Sequence, residues 1–187
     1  MRLSVLLLAS VCSLGPAALS AGPLRLKVDP AGSSVTFAVR VNIGPDSFTG
    51  SVDHWTLDLT VPAQGDLPDH AVFTADLVAL KTGKDVRDRE MLRWMEQDKF
   101  PAVRYEMKTI RKAASGGLEA EGELSVHGKT QSVTFPLHLQ RDGAKLTVTG
   151  DVAIDYRSYD LKIFRKFGVL SVKPEVKINF VATGTLE

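Results

Sequence analysis

The chain has 187 residues, of which 44% are hydrophobic and 24% charged; it is long enough for one domain with a full core, and this composition excludes a disordered or collagen-like protein. Its 23 basic and 22 acidic side chains give a net charge of +1, which provides no electrostatic footprint for nucleic acid or an anionic membrane as principal partner. The single cysteine excludes a disulfide framework and every metal site built from several cysteines.

Residues 1–21 have the pattern of a secretory signal peptide. Arg2 supplies a positive charge, and the apolar run from Leu3 to Leu14 is too short to span a bilayer. Small residues follow, and cleavage near Ser20-Ala21 would leave residues 22–187 as the mature domain. Two alternatives stay open: an uncleaved helix that is buried in the fold, and a lipid anchor on Cys12.

The predicted signal peptide also indicates that the protein is exported. Because Cys12 lies inside the predicted signal peptide, the cleaved protein would contain no thiol. No later apolar run reaches the length of a transmembrane helix. We therefore expect an exported protein without a transmembrane segment, located in the periplasm or secreted.

Eight stretches of the mature chain alternate between apolar and polar residues, as antiparallel strands around one interior do. In one of them Val35, Phe37 and Val39 alternate with Thr36 and Arg40. The eight stretches begin at Val35, Trp55, Phe73, Val103, Leu118, Val133, Leu146 and Val176.

Turn signals separate these stretches. The glycine-containing clusters are Gly44–Asp46, Gly65–Pro68, Ser115–Gly117 and His127–Lys129. Asp142-Gly143, between two alternating runs, predicts a tight hairpin. Gly122 and Gly150 interrupt the apolar faces of two runs, and we expect β-bulges or bends there.

Residues 84–96 differ from the rest, because they lack alternation and are rich in strong helix formers. Met91, Leu92 and Met95 lie at helical spacing and predict an apolar face. The remaining charged residues are expected to face solvent: Arg87, Asp88, Arg89, Glu90 and Arg93. We expect one short helix here, placed as a cover over the mouth of a barrel.

The predicted class is all-β. Many amphipathic strands with only one short helix bury their apolar faces either in a sandwich or in a closed barrel. Eight strands suit a barrel whose interior is filled by side chains or holds one small ligand. Small inward residues such as Ala75, Ala79 and Ala120 favour a cavity, and a solid core stays open as the alternative.

The order of several motifs resembles that of the YceI-like family of polyisoprenoid-binding proteins. The most specific stretch is Arg87–Met91 followed by Asp98–Tyr105. The other motifs are Val35-x-Phe37, Phe48–Gly50, Lys81–Gly83, Gly122–Val133, Asp155–Asp160 and Val176-x-Ile178. The sequence departs from the family pattern at Glu90 and Met91, where a histidine is often found, and after Ser158, where a glycine is usual.

This resemblance implies an extended eight-stranded antiparallel barrel, similar to a lipocalin, over residues 22–187. It also implies a periplasmic binding or carrier protein for a long-chain isoprenoid, a quinone or a similar lipid. Family members are often homodimers and have no agreed catalytic group. No cofactor other than such a bound lipid is expected.

Inward apolar residues and the helix supply the candidate ligand-binding residues. They are Phe37, Val39, Trp55, Phe73, Leu77, Met91, Leu92, Trp94, Met95, Tyr105, Phe135, Phe164 and Phe180. For any single one of the strand aromatics, ordinary core stays open as the alternative and is the commoner role. Lys162, Arg165 and Lys166, close to Phe164 and Phe167, form a basic segment that is either a solvated hairpin or a contact for a lipid headgroup.

Catalytic motifs are missing from the sequence: there is no Gly-x-Ser-x-Gly, no P-loop and no His-Glu-x-x-His. His54 and His138 fall on polar faces and are expected to be exposed, so we expect no metal site. Three classes of function stay open. The leading one is a lipid-binding protein; the others are an isomerase or hydrolase that acts on such a lipid, and a solid barrel that acts through protein interactions.

Overall fold

The computed structural model describes residues 22–42, 47–114, 116–166 and 170–187. Several predictions fall outside these described residues: the signal peptide over 1–21, the turn at Gly44–Asp46, Ser115, Phe167 and the side chain of Lys166. Signal-peptide cleavage and export therefore stay predictions.

Twelve strands, one α-helix and three short 3₁₀ turns make up the described chain. The strands are β1 Leu24–Val28, β2 Ser34–Val41, β3 Ser47–Val52, β4 Thr56–Val61, β5 His70–Asp76, β6 Leu80–Lys81, β7 Ala102–Lys112, β8 Leu118–Val126, β9 Lys129–Asp142, β10 Lys145–Asp155, β11 Arg165–Lys166 and β12 Leu170–Leu186. The helix α1 spans Asp85–Trp94, within the predicted range, and the 3₁₀ turns span Pro30–Gly32, Leu77–Ala79 and Tyr156–Tyr159.

Eight of these strands close an antiparallel barrel, in the order β1-β4-β5-β7-β8-β9-β10-β12 and back to β1. The predicted fold class is therefore confirmed. Leu26 and Val28 of β1 pair with β12, while Leu24 and Arg25 pair with β4. Closure of the ring pairs the backbone groups that a sheet edge would otherwise leave exposed.

The strand β2, the first of the predicted runs, lies outside this ring. β12 pairs with β10 along one edge. Its other edge pairs with β2 over Val172–Val181 and with β1 nearer the C-terminal end of β12. β3 and then β6 continue the sheet outward from β2. One end of the barrel is thus closed by β1, whereas β2 and β3 extend the wall at the other end.

Packed side chains fill the end that β1 closes. Val61 and Leu146 are fully buried there, and burial of such a side chain stabilises the fold by roughly 1.5–3 kcal/mol. The buried members of this solid core are Leu26, Leu59, Val61, Ala71, Met107, Ala120, Phe135, Leu137, Leu146, Val148 and Leu186. A second cluster lies towards the other end and contains Leu77, Met95, Val126, Tyr156, Tyr159 and Leu161.

The predicted hairpin at Asp142-Gly143 is confirmed. Asp142 ends β9 and pairs with Lys145 at the start of β10, so Gly143 and Ala144 form a two-residue loop. Gly143 has a φ of +57°, a conformation that glycine adopts without the steric cost that a side chain imposes.

Gly122 and Gly150 make room for aromatic rings, and neither of them is the bulged residue of its strand; the expected bend at each glycine stays a prediction. The pairing register runs without a shift through Gly150, and the bulge near Gly122 lies on the neighbouring strand, after Met107. A Cβ atom at Gly150 would come within 2.6 Å of the Phe180 ring, and one at Gly122 within 2.6 Å of the Tyr105 ring. Both glycines therefore allow a neighbouring ring to lie flat across the strand.

Candidate functional site

A cavity of about 580 Å³ occupies the half of the barrel opposite the solid core. Alternate residues of β2 and of β12 point into it, because side chains two apart on a strand share one face. The helix α1 and the 3₁₀ turn Tyr156–Tyr159 line it from two other sides. Its volume lies within the range of about 300–1,000 Å³ that is typical of small-molecule sites.

The wall of the cavity is mainly apolar. Its aliphatic and methionine residues are Val35, Val39, Val41, Val52, Leu80, Val86, Met91, Met95, Val103, Leu124, Val126, Ile154, Leu161, Leu170, Val172, Val176 and Ile178. Its aromatic residues are Phe37, Phe48, Phe73, Trp94, Tyr156, Tyr159 and Phe164. The other described lining residues are Ser47, Thr82, Lys84, Arg87 and Glu90.

The cavity opens where the start of β3 meets the start of α1. Among the described lining residues, the exposed ones are Ser47, Lys84 and Val86, and Val86 keeps 57% of its surface accessible. Arg87 joins these two elements, because its guanidinium carbon lies 4.0 Å from the centroid of the Phe48 ring. We call this region the mouth of the cavity.

Seven of the predicted ligand-binding residues line this cavity: Phe37, Val39, Phe73, Met91, Trp94, Met95 and Phe164. The other six lie elsewhere: Trp55, Leu77, Leu92, Tyr105, Phe135 and Phe180. Phe135 faces the barrel interior but belongs to the solid core. Tyr105 and Phe180 pack against Phe135, with ring centroids 5.5 Å and 5.8 Å away.

The three other residues outside the lining pack beside it. Leu77 is buried in the second cluster, and Leu92 packs against that cluster from the helix. The Trp55 ring lies 5.8 Å from that of Phe73, which does line the cavity. Contact with a ligand stays a prediction for every residue of the set.

An aromatic group around Trp94 ties the helix to the rest of the cavity wall. Trp94 Nε1 donates a 2.9 Å hydrogen bond to the backbone oxygen of Lys162. Its ring packs edge-on against Tyr156 at 5.0 Å and Phe164 at 6.0 Å between centroids. Tyr156 Oη in turn donates to the backbone oxygen of Val172 at 2.9 Å, so helix, loop and β12 are linked by side chains.

Tyr159 and His127 close the inner part of the wall. Tyr159 is only 1% exposed, and burial raises the pKa of its hydroxyl to about 12. His127 Nδ1 lies 3.0 Å from the backbone oxygen of Tyr159, and its Nε2 lies 3.3 Å from Glu96 Oε2 just beyond the helix. The imidazole also packs against Phe100 at 4.4 Å, so the turn predicted at His127 connects three segments.

Polar contacts at the mouth involve residues that sequence reasoning placed in solvent. Asp88 is 8% exposed and accepts a 2.8 Å hydrogen bond from the Thr82 backbone N–H and another from the Thr82 hydroxyl. Arg87 is half-buried and donates to the backbone oxygen of Thr82. The helix begins only three residues after Thr82, so Arg87 and Asp88 lie within hydrogen-bond reach of Thr82.

The histidines and the possible metal-ligating residues do not form a cluster in the described ranges. His54 and His138 are exposed, as predicted. Across the described ranges, no group of three or more His, Cys, Asp or Glu residues is placed to hold a metal ion. None of the helices in the same ranges is long and apolar enough to cross a membrane.

Comparison with known proteins agrees with the barrel and its motifs. The YceI-like domain matches residues 26–183 of this chain. The chain belongs to the YceI-like family. The family resemblance of its motifs is thereby confirmed. No curated protein matches the chain.

Solved structures share the YceI-like fold at low sequence identity. BcnA from Burkholderia cenocepacia is 20% identical, with a TM-score of 0.72 over 85% of this chain and 100% of that one. A structure described as a polyisoprenoid binding domain from Saccharophagus degradans is 20% identical, with a TM-score of 0.67 over 88% and 98%. The YceI protein of Campylobacter jejuni is 10% identical, with a TM-score of 0.67 over 78% and 89%.

Both departures from the YceI-like motif pattern lie at the cavity. Glu90 and Met91 line it from the helix, and Tyr159 and Leu161 line it from the segment after Ser158. Asp160, between these two, has a φ of +58°, a left-handed conformation that aspartate tolerates better than most residues. The two segments in which the motifs depart from the expected pattern thus both contribute to the cavity wall.

Proposed function

We propose that this protein binds a long-chain isoprenoid, a quinone or a similar lipid in its cavity and carries it through the periplasm or another extracytoplasmic space. The observation that carries the proposal is an apolar cavity of about 580 Å³ with a mouth at Ser47, Lys84 and Val86. Membership in the YceI-like family and likeness to a polyisoprenoid binding domain support a lipid as the ligand.

The size of the cavity sets the scale of the ligand. If one water-sized group takes up about 30 Å³, the cavity holds roughly twenty such groups. Each methylene that leaves water contributes about 0.8 kcal/mol, so a buried chain of fifteen carbons gains roughly 12 kcal/mol before the entropic costs of binding. Apolar contact can therefore supply most of the gross binding free energy of a chain of this length.

Binding is favoured over catalysis by the nature of the wall. Its aromatic and aliphatic residues offer contact surface along the whole cavity, whereas its charged side chains Lys84, Arg87 and Glu90 lie together at the helix. The alternative function, an isomerase or hydrolase acting on the same lipid, would place its reaction beside these helix residues.

Extraction of the purified protein with organic solvent, followed by mass spectrometry, tests the proposal. We expect close to one lipid per chain, or uptake of an added long-chain lipid by the delipidated protein. Conversion of that lipid during incubation would favour the enzyme. Absence of both bound lipid and uptake would contradict a lipid-binding function.

Two tryptophan variants on β12 make this test specific to the cavity. Ile178 points into the cavity, and its neighbour Lys177 is exposed on the other face of the strand. Ile178→Trp should narrow the cavity and weaken lipid uptake, whereas Lys177→Trp should leave uptake unchanged. Equal uptake by both variants would place the lipid outside this cavity.

A further inference from the structure

We propose that the ligand is a long-chain amphiphile with one anionic headgroup, a carboxylate or a phosphate monoester, and that Arg87 binds this headgroup at the mouth. The inference rests on the proposed function, because the cavity would hold the apolar tail of the same molecule. It adds a class of headgroup and a residue that selects it.

The guanidinium of Arg87 is held in place but not fully used. One Nη donates to the backbone oxygen of Thr82, and the face of the group covers the Phe48 ring at 4.0 Å. Its Nε is buried and has no hydrogen-bond partner within the part of the chain that the structure describes. Two contacts therefore fix the orientation of the group while one donor lacks an acceptor.

An anionic oxygen is the acceptor that this donor fits best. Arginine stays charged at all physiological pH values, and buried N–H donors in native proteins are nearly always paired. Carboxylates and phosphates accept parallel hydrogen bonds from the guanidinium edge, which makes arginine the preferred residue for both groups. The charged lining residues add to this preference, because Lys84 and Arg87 outnumber Glu90.

The helix places headgroup and tail contacts in the required order. Arg87, Met91 and Trp94 follow each other at intervals of four and three residues, so they share one face of α1, and Met95 follows directly as the residue that caps the helix. All four line the cavity. Arg87 is nearest to the exposed mouth, and Met95 at the other end is buried. A tail that runs along this face leaves its headgroup beside Arg87.

Displacement of the neutral fluorescent probe N-phenyl-1-naphthylamine from the full-length mature protein tests the inference. The competitors are dodecyl phosphate, laurate and the neutral dodecanol, with inorganic phosphate as a fourth. We expect both anionic amphiphiles to bind at least tenfold more tightly than dodecanol, and inorganic phosphate to displace nothing. The ratio between dodecyl phosphate and laurate then identifies which of the two headgroups is preferred.

Variants of two arginines on the same helix assign the effect. Arg87→Gln should weaken binding of both anions by about tenfold to a hundredfold and leave dodecanol within twofold. Arg89→Gln, a matched change at an exposed position outside the lining, should leave all competitors unchanged. Arg87→Lys keeps the positive charge and should retain part of the preference for anionic amphiphiles over dodecanol. If Arg87→Gln fails to bind the probe, Arg87→Lys still tests the headgroup site.

The outcomes separate this inference from the proposed function. If dodecanol binds as tightly as the anions, or if Arg89→Gln loses as much as Arg87→Gln, the headgroup site is wrong and lipid binding stands. If neither the probe nor any amphiphile binds the wild-type protein, the proposed function itself is wrong.

Discussion

The indole of Trp94 and the backbone of Lys162 are joined by a 2.9 Å hydrogen bond that fastens the helix to the loop across from it. Trp94 lines the cavity and packs against Tyr156 and Phe164, so this bond holds several wall residues together. The helix is otherwise connected to the mouth through Thr82, which contacts Arg87 and Asp88. We therefore expect the release of a ligand from the cavity to depend on this hydrogen bond of Trp94.

Replacing Trp94 by phenylalanine removes the hydrogen bond to Lys162 and should weaken the attachment of the helix to the loop. The loss of one hydrogen bond should lower the free energy of unfolding by about 0.5–1.5 kcal/mol, since the ring contacts are partly kept. The dissociation rate of a bound fluorescent probe should rise, which stopped-flow measurements would detect. Arg93→Gln is the control, because Arg93 is exposed on the same helix and lies outside the lining, and its probe dissociation should stay at the wild-type rate. Equal acceleration in both variants would contradict the role of the Lys162 contact.

A matched pair of valines should separate the solid half of the barrel from the hollow half. Val148 is 5% exposed in the solid core, so Val148→Ala should lower the free energy of unfolding by about 1–3 kcal/mol and leave ligand affinity unchanged. Val176 faces the cavity, so Val176→Ala should cost less stability and weaken ligand binding. Urea denaturation and probe titration measure the two quantities. The reverse pattern would mean that the cavity is filled by protein side chains in solution.

Substitutions at Gly150 and Phe180 should have coupled effects on the free energy of unfolding, because the Phe180 ring lies against Gly150. Gly150→Ala pushes a methyl group into the Phe180 ring and should destabilise the protein by about 1–3 kcal/mol. Adding Phe180→Leu removes the obstructing ring, so the double variant should be more stable than the sum of the two single changes predicts. A double-mutant cycle measured by urea denaturation gives this coupling energy. Strict additivity would show that Gly150 is not needed for the ring.

All three tyrosines of the chain should resist ionisation while the protein is folded. Burial is the main cause that raises the pKa of Tyr105 and of Tyr159 from 10.0 to about 12, and burial also raises the pKa of Tyr156. The unfolded chain releases these protons near pH 10, so it binds fewer protons than the folded protein between pH 10 and about 12. Stability should therefore be complete below pH 10 and fall as the pH rises towards 12.

Absorbance at 295 nm checks this directly, because it follows the tyrosinate form. The folded protein should show little tyrosinate at pH 10.5, whereas the protein in concentrated urea should show most of it. Tyr159→Phe should reduce the loss of stability between pH 10 and 12. Titration of one or more tyrosines near pH 10 in the folded protein would contradict the burial of their hydroxyl groups.

Much of the barrel could be predicted because alternation is a local property. Phe37 and Phe135 were both placed inward correctly, since each belongs to a run of period two. Their positions along the barrel axis depend on the register between distant strands, which no local pattern contains. For this reason the sequence could not separate Phe37 in the cavity wall from Phe135 in the solid core.

Two further differences have similar causes. β1 was missed because Leu24–Val28 is a run of only five residues, although its pairing with β12 and β4 closes the ring. Arg87 was assigned to solvent because charged residues on a short helix usually are. Its inward position depends on Thr82 and Phe48, which approach it from outside the helix.

The solid core closes the inner end of the cavity, so a ligand that enters at the mouth formed by Ser47, Lys84 and Val86 cannot pass through the barrel. A linear ligand that enters through the mouth should advance until its leading end meets the packed core, and we therefore expect it to bind in a single orientation along the barrel. A guest longer than the hollow half must then double back or leave its trailing end in water. A series of homologous chains should accordingly gain affinity with each added carbon only up to a definite length, and beyond it the added carbons should contribute nothing.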